Sequence, residues 1–213
     1  MKTEDLISML ATGETAVTAR RAERNFTIAT GWGMAGAMLL MLVLLRIRYD
    51  LLQAVMLPMF WVKIGFVAWL AGGSLYAVLH LSRPGANLDK VPLALALPII
   101  SIWVIAIFTL FDADSPDRSK LFFGETWKTC PLLIAMLSVP TFVAVMLTMK
   151  GQAPTQPRLA GFVAGLLSGA VAAVVYCLHC PEMGAPFIGF WYLLGILIPA
   201  GIGAALGESL FRW

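Results

Sequence analysis

The chain has 213 residues, of which 60 % are hydrophobic and only 13 % charged. A soluble domain is nearer half apolar and a quarter charged. This balance excludes an ordinary soluble enzyme, and a net charge of +3 does not mark a nucleic-acid binder.

The apolar residues are gathered into six uncharged runs: Phe26 to Leu45, Ile64 to Ser82, Val91 to Phe111, Thr129 to Met149, Leu159 to Pro181 and Met183 to Gly207. Each is about the 17 to 25 residues that a helix needs to cross ~30 Å of hydrocarbon. Expected is an all-α integral membrane protein of six spans, near 26–45, 60–82, 91–111, 129–149, 159–180 and 184–207. Residues 26–210 form the transmembrane domain and residues 1–25 a soluble tail.

In the tail, Thr3 can cap a short helix whose first turn holds Glu4 and Asp5. Leu6, Ile7, Met9 and Leu10 follow, with Leu6 and Leu10 one turn apart on one face. Gly13 offers a stop. Such a helix is marginal alone in water, which leaves two readings: a frayed tail, or a docking helix that orders on a partner. The first span is too long for a cleavable signal and lacks a small-x-small site after it.

After span one, Leu51, Leu52, Val55, Met56 and Met59 recur at helical spacing, with Pro58 near the end. This predicts a short helix on the membrane surface leading into span two. Trp61 and Lys63 suit the interface, where a lysine snorkels toward water; a buried functional lysine is the alternative. The inner connectors "HLSRPGANLDK" and "KGQAPTQPR" are turn-rich. The connector "FDADSPDRSKLFFGETWKTC" is longest and most charged, with Phe122, Phe123 and Trp127 expected at headgroup level. Gly161, Gly165 and Gly169 in span five, and Gly203 and Gly207 in span six, lie four residues apart, a spacing for close helix packing in lipid. Pro98, Pro140 and Pro199 predict kinks.

Orientation follows from lysine and arginine. With six spans both termini share one side, which collects Lys2, Arg20, Arg21, Arg24, Arg83, Lys90, Lys150, Arg158 and Arg212. The other side holds Arg46, Arg48, Arg118, Lys120 and Lys128, with Lys63 if it snorkels. The bias places both termini in the cytoplasm.

Charge within the spans is nearly absent, which argues against a transporter. The cysteines carry the chemistry. Cys130 opens span four; Cys177 and Cys180 close span five around His179. By parity the third and fifth connectors share a face, the periplasmic one on this orientation, where thiols oxidise readily. A nearby cation lowers a thiol's pKa, and Lys128 and His179 are placed to do so. Three readings stand open: inert buried thiols, a reversible pair of Cys130 with Cys180, or a soft-metal site at Cys130, Cys177, Cys180 and His179. A membrane thiol-disulfide oxidoreductase built on Cys177-x-x-Cys180 is the rival function, and a small transporter the third.

The "MKTEDLISMLA" start, Cys130-Pro131, "CLHCPE" followed by "WYLLGILIPAGIGAALG", and the terminal "FRW" together resemble the NrsF-like family of bacterial membrane anti-sigma factors. The likeness covers essentially the whole chain. It implies a non-enzymatic regulator of the bacterial inner membrane that holds an extracytoplasmic-function (ECF) sigma factor until stress, oxidative or from heavy metals, releases it. By motif its two sensing cysteines map to Cys130 and Cys180, with Cys177 additional and His179 beside them. The tail residues Thr3, Asp5, Leu6, Ile7 and Leu10 then become the sigma-docking segment. The partners implied are the sigma factor, the bilayer and further copies of the chain, with no direct nucleic acid, no cofactor and no firmly assigned metal.

Overall fold

The structure, a computed structural model, describes residue 5 and residues 19–82, 91–152 and 154–211. Those residues are almost entirely helical, and six of their helices are long and apolar enough to cross a membrane. They are α1 (Ala19–Leu44), α3 (Pro58–Leu81), α4 (Val91–Asp112), α6 (Cys130–Lys150), α7 (Pro157–Tyr176) and α8 (Ala185–Leu210). Two short helices lie in connectors, α2 (Leu51–Ala54) and α5 (Ser115–Phe123). The protein is an all-α multi-pass membrane protein.

Three boundaries differ from the sequence reading. α1 begins at Ala19 rather than near residue 26, because "ARRAERN" holds no helix breaker and its charges need only stay outside the hydrocarbon. α2 is a single turn, followed by tighter bonds from Met56 N to Gln53 O and Leu57 N to Ala54 O. Pro58 does not end that surface helix but opens α3; at a first helical position its missing N–H costs nothing. The longest connector also contains α5, which the charged sequence did not suggest.

α7 is the hub. Most of its length is buried, and it packs against α8, α6, α3 and α1, with the α7–α8 contact the largest in the fold. Glycine explains that closeness. A Cβ on Gly161 would run into the carbonyl of Gly203, one on Gly165 into that of Pro199, and one on Gly207 into that of Pro157. A Cβ on Gly169 would meet the Ile196 carbonyl oxygen at 2.7 Å. A second small-residue seam joins α1 to α6, where Gly33 and Gly36 face Thr141 and Pro140. Pro98, Pro140 and Pro199 all lie inside continuous helices.

Outward-facing Leu39, Val43, Trp69, Leu93, Ile100, Phe108, Leu132 and Leu147 are exposed, an apolar belt suited to a bilayer. Two buried serines within the spans bond back onto their own helices: Ser74 and Ser168 donate to the carbonyls of Leu70 and Ala164 at 2.6 and 2.7 Å. In hydrocarbon such groups must find partners internally. Near its start α8 carries a π-helical turn, Ile188–Tyr192.

The interior divides into two clusters at opposite ends. One, at the end that α1 enters, joins Phe26, Leu81, Val91, Met149, Ala160 and Phe211. The other holds Cys130, Cys177 and Cys180 with Tyr176, Phe187 and Tyr192.

Candidate functional site: a buried thiol cluster under three connectors

The turn after α7 builds the site. The helix ends at Tyr176, and Leu178, His179 and Cys180 close back onto Val175 and Tyr176 through backbone bonds of 3.0 to 3.1 Å. This folds Cys177 and Cys180 inward, both fully buried, beside the equally buried Cys130 at the start of α6. All three thiols are free. Cys130 lies within hydrogen-bonding reach of Cys180, and Tyr176 and Tyr192 border the sulfurs.

All three connectors of this face converge here. From the first, Arg48 donates its backbone N–H to Leu178 O at 3.2 Å and its guanidinium to Cys180 O at 3.3 Å. Arg48 is itself held by a two-pronged bond to Asp50, both distances 2.6 Å, the strong geometry for guanidinium with carboxylate. That bond holds the Asp50 carboxyl below the usual carboxylate range. From the third connector, Glu125 N and Thr126 N donate to Glu182 Oε1 at 2.8 and 3.3 Å. Thr126 O in turn receives Cys130 N. Glu182 therefore supplies, from the fifth connector, the carboxylate that caps the turn leading into α6, a place where negative charge is favourable. A polar cleft of about 370 Å³ opens beside it, lined by Lys120, Gly124, Glu125, Pro181 and Glu182.

Lys63 departs furthest from expectation. It does not snorkel to the surface: it is fully buried. Its ammonium donates to Cys180 O and Glu182 O, each at 3.0 Å, and sits 4.9 Å from the centre of the Tyr192 ring. The inward turn of the 177–184 segment presents two carbonyls to the ammonium, and they draw it in. Lys128, expected near Cys130, lies over the Trp127 ring at 5.3 Å. His179 sets its Nδ1 2.8 Å from the Arg46 carbonyl, so that nitrogen must donate. Arg46 has a positive φ of 68°, a conformation uncommon outside glycine, and so aims its carbonyl at the imidazole. Among the described residues, no group of three or more His, Cys, Asp and Glu side chains is placed to hold a metal ion.

The electrostatics separate the thiols. The Cys130 hydrogen bond, helped by the Lys63 ammonium and opposed by burial, holds Cys180 below the ordinary thiol range. Burial pushes Cys177 up to about 12. One thiol of the Cys-x-x-Cys pair is thus disposed to ionise and the other is not.

Tyr192 and Arg48 escaped the sequence reading as site members, and Lys63 stood there only as the alternative to a snorkelling lysine. Lys63 had a signal, being the one charged residue set into the predicted second span. Glu182 had a weaker one, as the charge between two spans. Phe122, Phe123 and Trp127 pack with Phe190 and Trp191, and the Trp191 indole donates to Phe122 O at 2.9 Å. Of the tail, Thr3, Leu6, Ile7 and Leu10 lie outside the described residues, as does the 83–90 connector; Asp5 is helical and exposed.

Gly124 locks the arrangement. It combines φ of 55° with ψ of −163°, and a Cβ there would meet the Glu182 carboxyl carbon at 2.6 Å. Gly124→Ala is expected to destabilise the protein by about 1 to 3 kcal/mol, read from thermal unfolding in detergent. Adding Glu182→Ala removes the clash, so the double variant will lose less than the sum of the two single effects. Strict additivity would show that the two residues do not meet.

Six helices of membrane-spanning length packed around three buried free thiols define a polytopic membrane protein. The chain belongs to the NrsF family, described as the negative regulator of sigma F, which matches residues 10–213. It is 67 % identical over 213 residues, 100 % of both chains, to the probable anti-sigma-F factor NrsF of Azospira oryzae. It is 37 % identical over 217 residues, again 100 % of both, to the anti-sigma-F factor NrsF of Caulobacter vibrioides. No solved structure matches. The family is regulatory, and the protein is not an enzyme.

Proposed function

We propose that the protein is an anti-sigma factor of the bacterial inner membrane that holds an ECF-type sigma factor, of the sigma-F kind its relatives are named for, at the cytoplasmic face. Both termini lie in the cytoplasm, on the side favoured by the lysine and arginine bias. The tail, through Thr3, Asp5, Leu6, Ile7 and Leu10, forms the grip. Cys130 and Cys180 are the sensing pair, with Cys177 and His179 beside them, and they answer to oxidants or thiophilic metal ions in the periplasm. Oxidation joins the two sulfurs as a disulfide, passes two electrons to the oxidant and releases whatever protons the sulfurs carry.

The observation that carries this reading is the convergence of three connectors, at the end opposite the one that α1 enters, on one pair of adjacent sulfurs. A bond formed between Cys130 and Cys180 pulls directly on α6 and on the α7–α8 turn. The α7–α8 seam runs from that turn to Pro157 and Gly207 at the other end, and passes the shift to the cytoplasmic side.

The test is co-precipitation of the cell's sigma factors with the full-length protein from solubilised membranes. A sigma factor will be recovered from unstressed cells and lost after oxidant. Deleting residues 1–12 is expected to abolish recovery while leaving membrane insertion unchanged. A deletion variant that still captures its partner at the wild-type level would remove the tail from the interface.

A further inference from the structure

Lys63 lies at the centre of the thiol cluster and needs an anion. A buried ammonium without a counter-charge is costly by several kcal/mol. Among the described residues its contacts are two neutral carbonyls and one aromatic ring, and no carboxylate stands within ion-pair distance. A second group shows the same want. Tyr192 Oη is fully buried and makes no well-formed hydrogen bond, although it lies by the sulfurs of Cys177 and Cys180. A cation and an O–H donor, both buried and neither with an anionic partner, thus adjoin Cys180: the ammonium on its carbonyl oxygen, and the Tyr192 ring beneath that ammonium.

We infer that Cys180 rests as a thiolate paired with the Lys63 ammonium, and that Lys63 is the positioning residue that makes this one sulfur the site of attack by soft electrophiles. Tyr192 Oη supplies the thiolate with its hydrogen bond, and Cys130 keeps its proton as the second donor. The groups that face Cys180 are few. Lys63 comes from α3, Arg48 from the first connector, Cys130 from α6, Tyr176 from α7 and Tyr192 from α8, with Cys177 in its own turn. Arg48 is already matched by Asp50 and reaches only the Cys180 carbonyl. Glu182, two residues beyond Cys180, turns its carboxylate toward the Glu125 and Thr126 amides. Lys63 is therefore the uncompensated cation beside Cys180.

The inference deepens the sensing role proposed above and rests on it for its biological meaning, but not for its test. That test is the ultraviolet absorbance of the thiolate, titrated in the detergent-solubilised full-length protein, with Cys180→Ser subtracted. The Cys180 signal is expected at neutral pH, below the ~8.5 of an ordinary thiol. Lys63→Met is expected to move the midpoint upward by about 1 to 3 pH units, and Lys63→Arg to keep it low. A wild-type signal that emerges only in the ordinary thiol range overturns the ion pair, whatever the variants do. A low midpoint unmoved by Lys63→Met overturns the role of Lys63. Sigma-factor release is read separately in the co-precipitation: a thiolate with no oxidant-driven release defeats the sensor alone, and release without a thiolate defeats this pairing alone.

Discussion

Gly165→Leu will leave no stably folded protein. The residue sits where α7 and α8 touch backbone to backbone, and any side chain there collides with the Pro199 carbonyl and comes within 2.7 Å of the Ala200 Cα. In lipid the two helices gain nothing from hiding apolar surface, so their association depends on this close approach. Separation is not a local adjustment, because α7 is also wedged against α6, α3 and α1. Overpacking a core site costs typically about 1 to 3 kcal/mol; a backbone contact with no flexible neighbour belongs beyond the upper end, above about 3 kcal/mol. Unfolding in detergent, with the yield of folded protein, measures it. Gly201→Leu is the control: nothing lies within 4 Å of the position of its Cβ, and replacing a mid-helix glycine there should be neutral or stabilising. Equal losses at both positions would show that the seam is not what holds these helices.

Cys130→Ser with Cys180→Ser is expected to abolish oxidant-driven release while leaving sigma-factor capture at its unstressed level. Serine keeps the size and hydrogen-bonding capacity of each thiol but can form neither a disulfide nor a soft-metal bond. Moving a two-state protein from 99:1 to 1:99 takes a difference of about 5.5 kcal/mol. Hydrogen bonds between neutral groups contribute about 1 kcal/mol each, whereas a covalent link between α6 and the α7–α8 turn is of sufficient strength. Capture survives because the cluster lies at the opposite end of the bundle from Phe26 and Phe211, which mark the end that α1 enters. Co-precipitation before and after oxidant reads both properties at once. Release that persists in the double variant would place the sensing elsewhere.

Much of the fold was legible because its determinants are local. Uncharged runs of membrane-spanning length predict the six spans, and parity alone puts the third and fifth connectors on one face. The site was legible only in part. Cys130, Cys177 and Cys180 stood out by type. Their surroundings depend on the turn at 177–184 folding inward, which no spacing announces. Lys63 was misplaced for the same reason: snorkelling is the default for a lysine near a span end, and only the two carbonyls delivered by that turn make burial the better choice. The Gly33–Gly36 seam was missed because its interval is three residues rather than four. Arg46 and Gly124 take positive φ, which depends on the tertiary bonds they serve.

The π-helical turn at Ile188–Tyr192 has a consequence for the last helix as a whole. An extra residue in one turn offsets the section before it from the section after it by about 100°. Gly189, at the wide turn, points its missing side chain at Ile102 and Trp103 of α4, whereas Gly195, further along, points at Ile134 and Pro131 of α6, and Gly203 at α7. α8 works as a cam, with two differently phased sections on one shaft, and Tyr192 stands at the step between them. The step therefore sets the Tyr192 ring, 4.9 Å from the Lys63 ammonium, on the same shaft as the Gly203 face that meets α7.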